Sequence, residues 1–312
     1  MPKTLSISNR MSMDDLTDFG TALVESELIY PTGVAGVSGR SQQYAAVARA
    51  LHDLADQWGT ELGATSIEFP PIVNRSTFAR TNYIQSFPDL IGVVSVFTGD
   101  DRDHAELLRR SEAGKDWQDL LEPAEVFLAS AACHPVYPMC TGSLPAGGRY
   151  FNVHSFCFRH EPSTDPARSQ AFQMHELVFI GTPEEAQRHR DAGLEHGVSL
   201  LRQLGLDMTV VEANDPFFGR LGTAMANNQK DEILKLEGTT PIGSSDHPVA
   251  IISGNCHRDH FGEPFAITSA DGATAHSACV AFGVDRITLA LFWKHGLDVD
   301  KWPSEVAATL WP

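Results

Sequence analysis

Two strand-like apolar runs, residues 150–161 and 172–180, are separated by a stretch that opens with Pro162-Ser163-Thr164-Asp165-Pro166. Proline has no backbone N–H and cannot continue a ladder, so the chain must leave the sheet there. The two runs then return as antiparallel neighbours. Side chains alternate along a strand. Arg159 and Glu161 therefore share one face of the first run, and Phe172, Met174 and Glu176 share one face of the second. Pairing through the turn brings both sets to one surface, with Arg168 and Ser169 on the connecting loop.

The remaining chain supplies helices and further strands around this hairpin. Apolar residues at helical spacing predict helices over 14–28 (Leu16, Phe19, Leu23, Leu28) and 41–62 (Tyr44, Val47, Leu51, Leu54, Trp58). Residues 65–73 read as a strand whose prolines, Pro70 and Pro71, suit a sheet edge. A buried strand is expected over 91–97, and an exposed, charge-laced helix or loop over 103–121. Thr182, Pro183 and Glu185 make a helix start with a capping box, running to about Leu204. Strands are expected near 208–212, 232–237, 249–253 and 273–281, and a closing helix over 283–295 stops at Gly296. Strands mixed with helices without regular βαβ alternation predict an α+β fold with a mostly antiparallel sheet. Residues 1–12 are polar and expected to be flexible, and 13–312 to form one catalytic domain.

Charge excludes some functions. The 312 residues carry 23 Lys and Arg against 40 Asp and Glu, a net charge of −17. A wide nucleic-acid surface needs clustered cations, so a polyanionic partner must meet a local basic patch. Candidate patches are Arg102, Arg109, Arg110 and Lys115, or Arg188 and Arg190. No run approaches the roughly 20 apolar residues of a membrane span. The cysteines, Cys133, Cys140, Cys157, Cys256 and Cys279, are irregularly spaced and odd in number, which argues against a disulfide framework and for a reducing, cytoplasmic setting.

Several of these residues carry chemistry. A guanidinium such as Arg159 is a planar, permanently charged donor for a phosphate, and Phe172 offers a stacking face. Ala281-Phe282-Gly283-Val284-Asp285-Arg286 places a second arginine at the start of the last helix, where the dipole also favours phosphate. Cys133, Glu176 and Cys279 can offer two thiolates and a carboxylate to a zinc ion and leave its fourth position open, although their separation is too long to define a metal site by itself. Cys140 is the rival for the first thiolate.

Phe158-Arg159-His160-Glu161 with Arg168-Ser169-Gln170-Ala171-Phe172, and the segment ending at Arg286, resemble motifs 2 and 3 of the class II aminoacyl-tRNA synthetases. The resemblance implies an ATP site with catalytic Arg159 and Arg286. Arg159 would meet the α-phosphate, Arg168 the γ-phosphate, Phe172 the adenine ring and Glu161 its amino group, with Ser169 on the same loop. Ala132-Cys133-His134-Pro135-Val136-Tyr137 and Phe172-Gln173-Met174-His175-Glu176 resemble the zinc-ligand segments of the zinc-dependent seryl enzymes of methanogenic archaea. That likeness implies one zinc per chain on Cys133, Glu176 and Cys279, holding the substrate amine. Residues 253–262 are similar to a seryl-enzyme stretch beside the substrate pocket. The magnesium-holding glutamate of that stretch is replaced by Val249-Ala250-Ile251-Ile252, leaving Asp246 or Glu237 as substitutes.

The expected module lacks a tRNA-binding domain, and the family it most resembles is the amino acid:[carrier protein] ligases. Membership implies a homodimer that activates a small amino acid, glycine in particular, with ATP and Mg2+. It passes that amino acid to the phosphopantetheine thiol of a small acidic carrier protein and not to tRNA. A minimal seryl-type tRNA synthetase and a non-catalytic paralogue that binds an amino acid are the competing readings.

Overall fold

The computed structural model describes residues 16–213 and 234–312. The terminus expected to be flexible, 1–12, lies outside them, as does the start of the strand expected at 232–237.

Helix α1 (Leu16–Glu25) buries Phe19 and Leu23 and leads into a hairpin of β1 (Ile29–Pro31) and β2 (Ser38–Arg40). Ser41 caps α2 (Gln42–Glu61) by accepting from the Tyr44 N–H, and the apolar stripe through Tyr44, Val47, Leu51 and Trp58 is buried as its spacing predicts. β3 (Thr65–Glu68) follows and ends before the prolines.

The next stretch departs from expectation. β4 (Ile72–Asn74), α3 (Arg75–Arg80), α4 (Tyr83–Ser86), β5 (Val93–Val96), α5 (Asp101–Glu112) and β6 (Glu122–Leu128) build a small three-stranded sheet in the order β4-β6-β5. β5, read from sequence as buried, lies at its edge with Val93, Ser95 and Val96 exposed. Its apolar run marked β propensity without fixing burial, which depends on what covers an edge. α5 buries none of its residues, as its charge pattern predicts, and starts at an Asp100–Asp103 capping box. β6 was not foreseen.

The main sheet follows. After a 3-10 turn (His134–Cys140) and β7 (Gly142–Ser143) come the predicted hairpin strands β8 (Arg149–Phe158) and β9 (Ala171–Gly181). α6 (Pro183–Gln203), β10 (Thr209–Glu212), β11 (Lys235–Pro241), β12 (Pro248–Arg258), β13 (Ile267–Thr268), β14 (His276–Gly283), α7 (Val284–His295) and α8 (Ser304–Leu310) complete the described chain. Seven strands run in the order β10-β11-β12-β14-β9-β8-β3, antiparallel throughout except for β3 against β8. The α+β reading therefore holds. β3 occupies the edge that its prolines suggested.

One face of this sheet is covered by α2, α6 and α7. α6 approaches closely because its buried stripe contains glycine. A Cβ at Gly197 would lie 2.3 Å from Ile252 Cδ1, and one at Gly193 would lie 2.6 Å from Val280 Cγ2. The opposite face carries a second apolar cluster that includes Val136, Tyr137, Phe261 and Phe265. A cavity opens beside it.

Asp285 joins the two halves. It accepts from Gln173 N–H on β9 at 2.5 Å and from Tyr44 Oη on α2 at 3.0 Å, and pairs with Arg40 Nε at 2.8 Å. Burial pushes its carboxyl above the ordinary range, against the pull of Arg40. Such a pair adds little net stability while intact but is costly to break from one side. Asp285→Ala should lower unfolding stability by about 3–5 kcal/mol in a urea titration, because Arg40 is left uncompensated.

Behind the hairpin, burial lowers the pKa of His189, whose Nε2 donates to the Leu177 carbonyl at 2.8 Å, and burial and then His154 lower that of His52. Both histidines take up protons more readily when unfolded, so their stabilising effect is complete above the unfolded value of about 6.5 and is lost as pH falls below it. Unfolding stability should fall with a slope approaching about 1.4 kcal/mol per pH unit for each. Denaturation series at pH 7.5 and 5.5 should show a shallower loss for His189→Gln than for the parent chain.

Candidate active site

The hairpin pairs Cys157 with Phe172, Ser155 with Met174 and Val153 with Glu176, so Phe172, Met174 and Glu176 do share the face predicted for them. That face forms the floor of a cavity of about 510 Å³. β8 ends at Phe158, three residues earlier than the run 150–161 that put Arg159 and Glu161 on one strand face. Arg159 N–H still donates to Gln170 O at 2.9 Å, but Glu161 N–H turns back to Arg159 O at 2.7 Å. Both side chains nevertheless reach the cavity wall, by turn geometry and not by strand alternation.

Two arginines stand at this end. Arg159 donates Nε–H to Ser130 O at 3.2 Å, and its guanidinium lies 5.4 Å from the centre of the Phe172 ring. Arg286 leaves the first turn of α7, donates to Ala167 O at 2.9 Å and to Ala250 O at 3.0 Å, and also lines the cavity. Burial, then Arg159, lower the pKa of Arg286, with Arg168 adding to the effect; Glu161 and Glu237 oppose it. Cationic groups held close enough to repel one another form a site that a polyanion would relieve. Ser169 lines the cavity as well. Arg168 does not. Its exposed side chain points to Glu161 at 3.7 Å.

At the other end, Glu176 is buried and its Oε1 accepts from Ala132 N–H at 2.7 Å and Cys133 N–H at 3.1 Å. The thiols of Cys133 and Cys279 hydrogen-bond each other, and both interact with Glu176. The bond to Cys279, then burial, then Glu176 push the Cys133 thiol well up. The same bond favours the thiolate on Cys279, but burial and Glu176 outweigh it and raise that thiol too. Among the described residues no group of three or more His, Cys, Asp or Glu side chains is set as a ready metal cluster. Two thiols and a carboxylate are nevertheless donors of the kind zinc takes. Cys140, the rival ligand, is buried away from the cavity, as is Cys157, whereas Cys256 reaches its wall. Of the two candidate magnesium ligands, Glu237 lines the cavity, paired with Lys235 at 2.9 Å, and Asp246 does not.

The sequence reading missed four contributors. Asp285 sat beside Arg286 in a quoted motif, but its ties to Arg40 and Tyr44 are visible only in three dimensions. His134, Tyr83 and Phe261 close the cavity from loops and short helices that carry no periodic signal.

Among the basic patches, Arg109 and Arg110 both pair with Glu106, Arg110 also with Asp119, and Arg190 is buried beside Asp191. Arg102, Lys115 and Arg188 are exposed.

Comparison with known proteins follows the same lines. No protein-family model matches the chain. It is 40% identical over 282 residues, 90% of its length and 86% of the relative's, to amino acid–[acyl-carrier-protein] ligase 1 of Bradyrhizobium diazoefficiens. A type-2 serine–tRNA ligase of Methanopyrus kandleri is 27% identical over 84% of this chain, which spans about half of that relative, 54%. The seryl-tRNA synthetase of M. kandleri, solved with A. aeolicus tRNASec, superposes with a TM-score of 0.81 at 23% identity, over 98% of this chain and 62% of that one.

Thiols react as thiolates and need access. Cys133, Cys140, Cys157 and Cys279 are buried with raised pKa values, whereas Cys256 is half-buried. Brief iodoacetamide treatment of the folded, metal-free protein at pH 7.5 should label Cys256 before the other four, as read by peptide mass spectrometry.

Proposed function

The chain belongs to the amino acid–[acyl-carrier-protein] ligase family, and from that premise we propose that this enzyme adenylates glycine, or an amino acid of similar size, and transfers it to the phosphopantetheine thiol of a small acidic carrier protein. The observation that carries the reading is the single face of β9. Phe172 and Arg159 stand at one end of it, and Glu176 stands four residues on, beside Cys133 and Cys279. Four residues of strand span about 14 Å, enough to hold a nucleotide and an amino acid end to end.

A carboxylate oxygen of the amino acid attacks the α-phosphorus of ATP. The bond from that phosphorus to the β-bridging oxygen breaks, and pyrophosphate leaves. Arg159 meets the charge on the α-phosphate, Arg286 clamps the nucleotide, Phe172 stacks on the base and Glu161 meets its amino group. Ser169 borders the phosphates, and Arg168 reaches the γ-phosphate by swinging away from Glu161. Positioning and charge neutralisation carry this step, and no enzyme group is covalently modified. The carrier's thiolate then attacks the carbonyl carbon, the carbon–oxygen bond to AMP breaks, and AMP departs with the electron pair.

Cys133, Glu176 and Cys279 would hold a zinc ion, whose open position supplies a Lewis acid for a free amine. Magnesium would accompany the triphosphate, with Glu237 the acid best placed to meet it. Phe261 walls this end, backed by the fully buried Tyr137 stacked on it at 3.9 Å, and supports a small substrate. Arg102, Lys115 and Arg188 are the cations available to an acidic carrier. We further place the enzyme in the cytoplasm as a homodimer. No helix of the described residues is long and apolar enough to cross a membrane, and the five cysteines are unpaired.

ATP–pyrophosphate exchange over all amino acids should be highest with glycine and absent with N-acetylglycine. Arg159→Ala should lower the exchange rate by about 100- to 1000-fold, the range for one lost charge-stabilising donor. Labelled amino acid should then appear on holo-carrier and not on tRNA. Exchange with N-acetylglycine near the glycine rate, or charging of tRNA, would sink the proposal.

A further inference from the structure

The register of β12 against β14 holds an irregularity next to the thiol pair. Cys256 faces Ala278 and Arg258 faces Ser277, so His257 is an extra residue on β12. Bulges of this kind bend a strand and re-aim a side chain. Arg258 takes the left-handed conformation, φ 55°, to let the chain through. For a residue with a Cβ that conformation is unfavourable. The effect of the bulge is to turn His257 into the cavity.

Its ring is closely held there. Phe261 meets it edge-on at 5.0 Å and Tyr137 at 6.5 Å. Ser277 Oγ lies 3.1 Å and Tyr137 Oη 3.5 Å from Nδ1, and Nε2 lies 3.6 Å from Cys279 Sγ. With the nearer hydroxyl, that of Ser277, donating to the single Nδ1 lone pair, the ring proton stands on Nε2, facing sulfur. On the same sulfur, Asn255 donates an Nδ2–H at 3.4 Å. Cys279 Sγ thus meets donors from β12 on one side and Cys133 on the other.

We propose that His257 is a positioning residue that fixes the Cys279 sulfur by donating its Nε2–H to it, and so sets the geometry of the thiol–carboxylate centre. The inference rests on reading Cys133, Glu176 and Cys279 as a zinc site. Partners of this kind orient a ligand without touching the metal, and their loss typically weakens metal binding by about 10- to 100-fold. An outer hydrogen bond on a thiolate also changes its charge donation, which is visible in the sulfur-to-metal absorption of a cobalt derivative.

The test uses the full chain, with Zn2+ and Co2+ as probes. Zinc affinity is measured by chelator competition, and the Co2+ spectrum is recorded, for the parent, His257→Phe and His257→Gln. His257→Phe should bind zinc about 10- to 100-fold more weakly and shift the sulfur-to-cobalt band. His257→Gln, whose amide N–H reaches the Nε2 position, should recover most of both. Equal affinity and spectrum for parent and His257→Phe, or no recovery with Gln, would overturn the inference. Should His257→Phe not fold, Ser277→Ala carries the test: a weakening of about tenfold supports the lock on Nδ1, and unchanged binding overturns it. A parent chain that takes up neither metal defeats the zinc reading itself, an outcome distinct from any difference among the variants.

Discussion

The cavity exists because a buried carboxylate has to be satisfied. Asp285 sits at the start of α7 with almost no access to water, and a charge in that position is tolerated only when it is paired and hydrogen-bonded. Its partners come from three other places: Arg40 at the end of the N-terminal hairpin, Tyr44 in the first turns of α2, and the backbone of Gln173 on β9. Meeting those demands fixes α2 and α7 against the hairpin. It also sets the neighbouring residue, Arg286, on the cavity wall, bonded to Ala167 of the motif-bearing turn. Arg40 itself lies 5.3 Å from the centre of the Phe156 ring, which extends the same tie to β8.

Around that tie the two faces of the sheet perform different work. The helical face is packed tightly, and glycines at 193 and 197 let α6 lie close to Val280 and Ile252. The other face keeps a cavity whose ends differ in chemistry. One end gathers guanidinium groups that repel one another, and the other gathers two thiols with raised pKa values beside the Glu176 carboxylate. Each end is electrostatically incomplete alone, one calling for an anion and the other for a cation or amine. A zwitterionic substrate beside a polyphosphate meets both demands, which accords with the family to which the chain belongs.

Much of the fold was legible in the sequence. The stripe of α2, the capping box of α6 and the Gly296 stop are local signals, governed by helix periodicity and orphan backbone groups, and they hold to within a residue or two. The hairpin was legible for the same reason. The burial of residues 91–97 was not, because an apolar run reports propensity and the cover over an edge strand comes from elsewhere in the chain. Nor was β6, whose residues Glu122, Pro123 and Glu125 give no clear alternation.

The site divides along the same line. Residue type and spacing determined that Phe172, Met174 and Glu176 face one way, since a strand alternates whatever surrounds it. Tertiary structure alone decided that Cys133 and not Cys140 meets Cys279, that Arg168 stands outside the cavity, and that Glu161 reaches its wall from a turn. The physical reason is range. Backbone periodicity and turn chemistry act over a few residues and are written in the order of the chain. The meeting of 133 with 279, or of 40 with 285, depends on how packed layers satisfy buried groups across the whole domain.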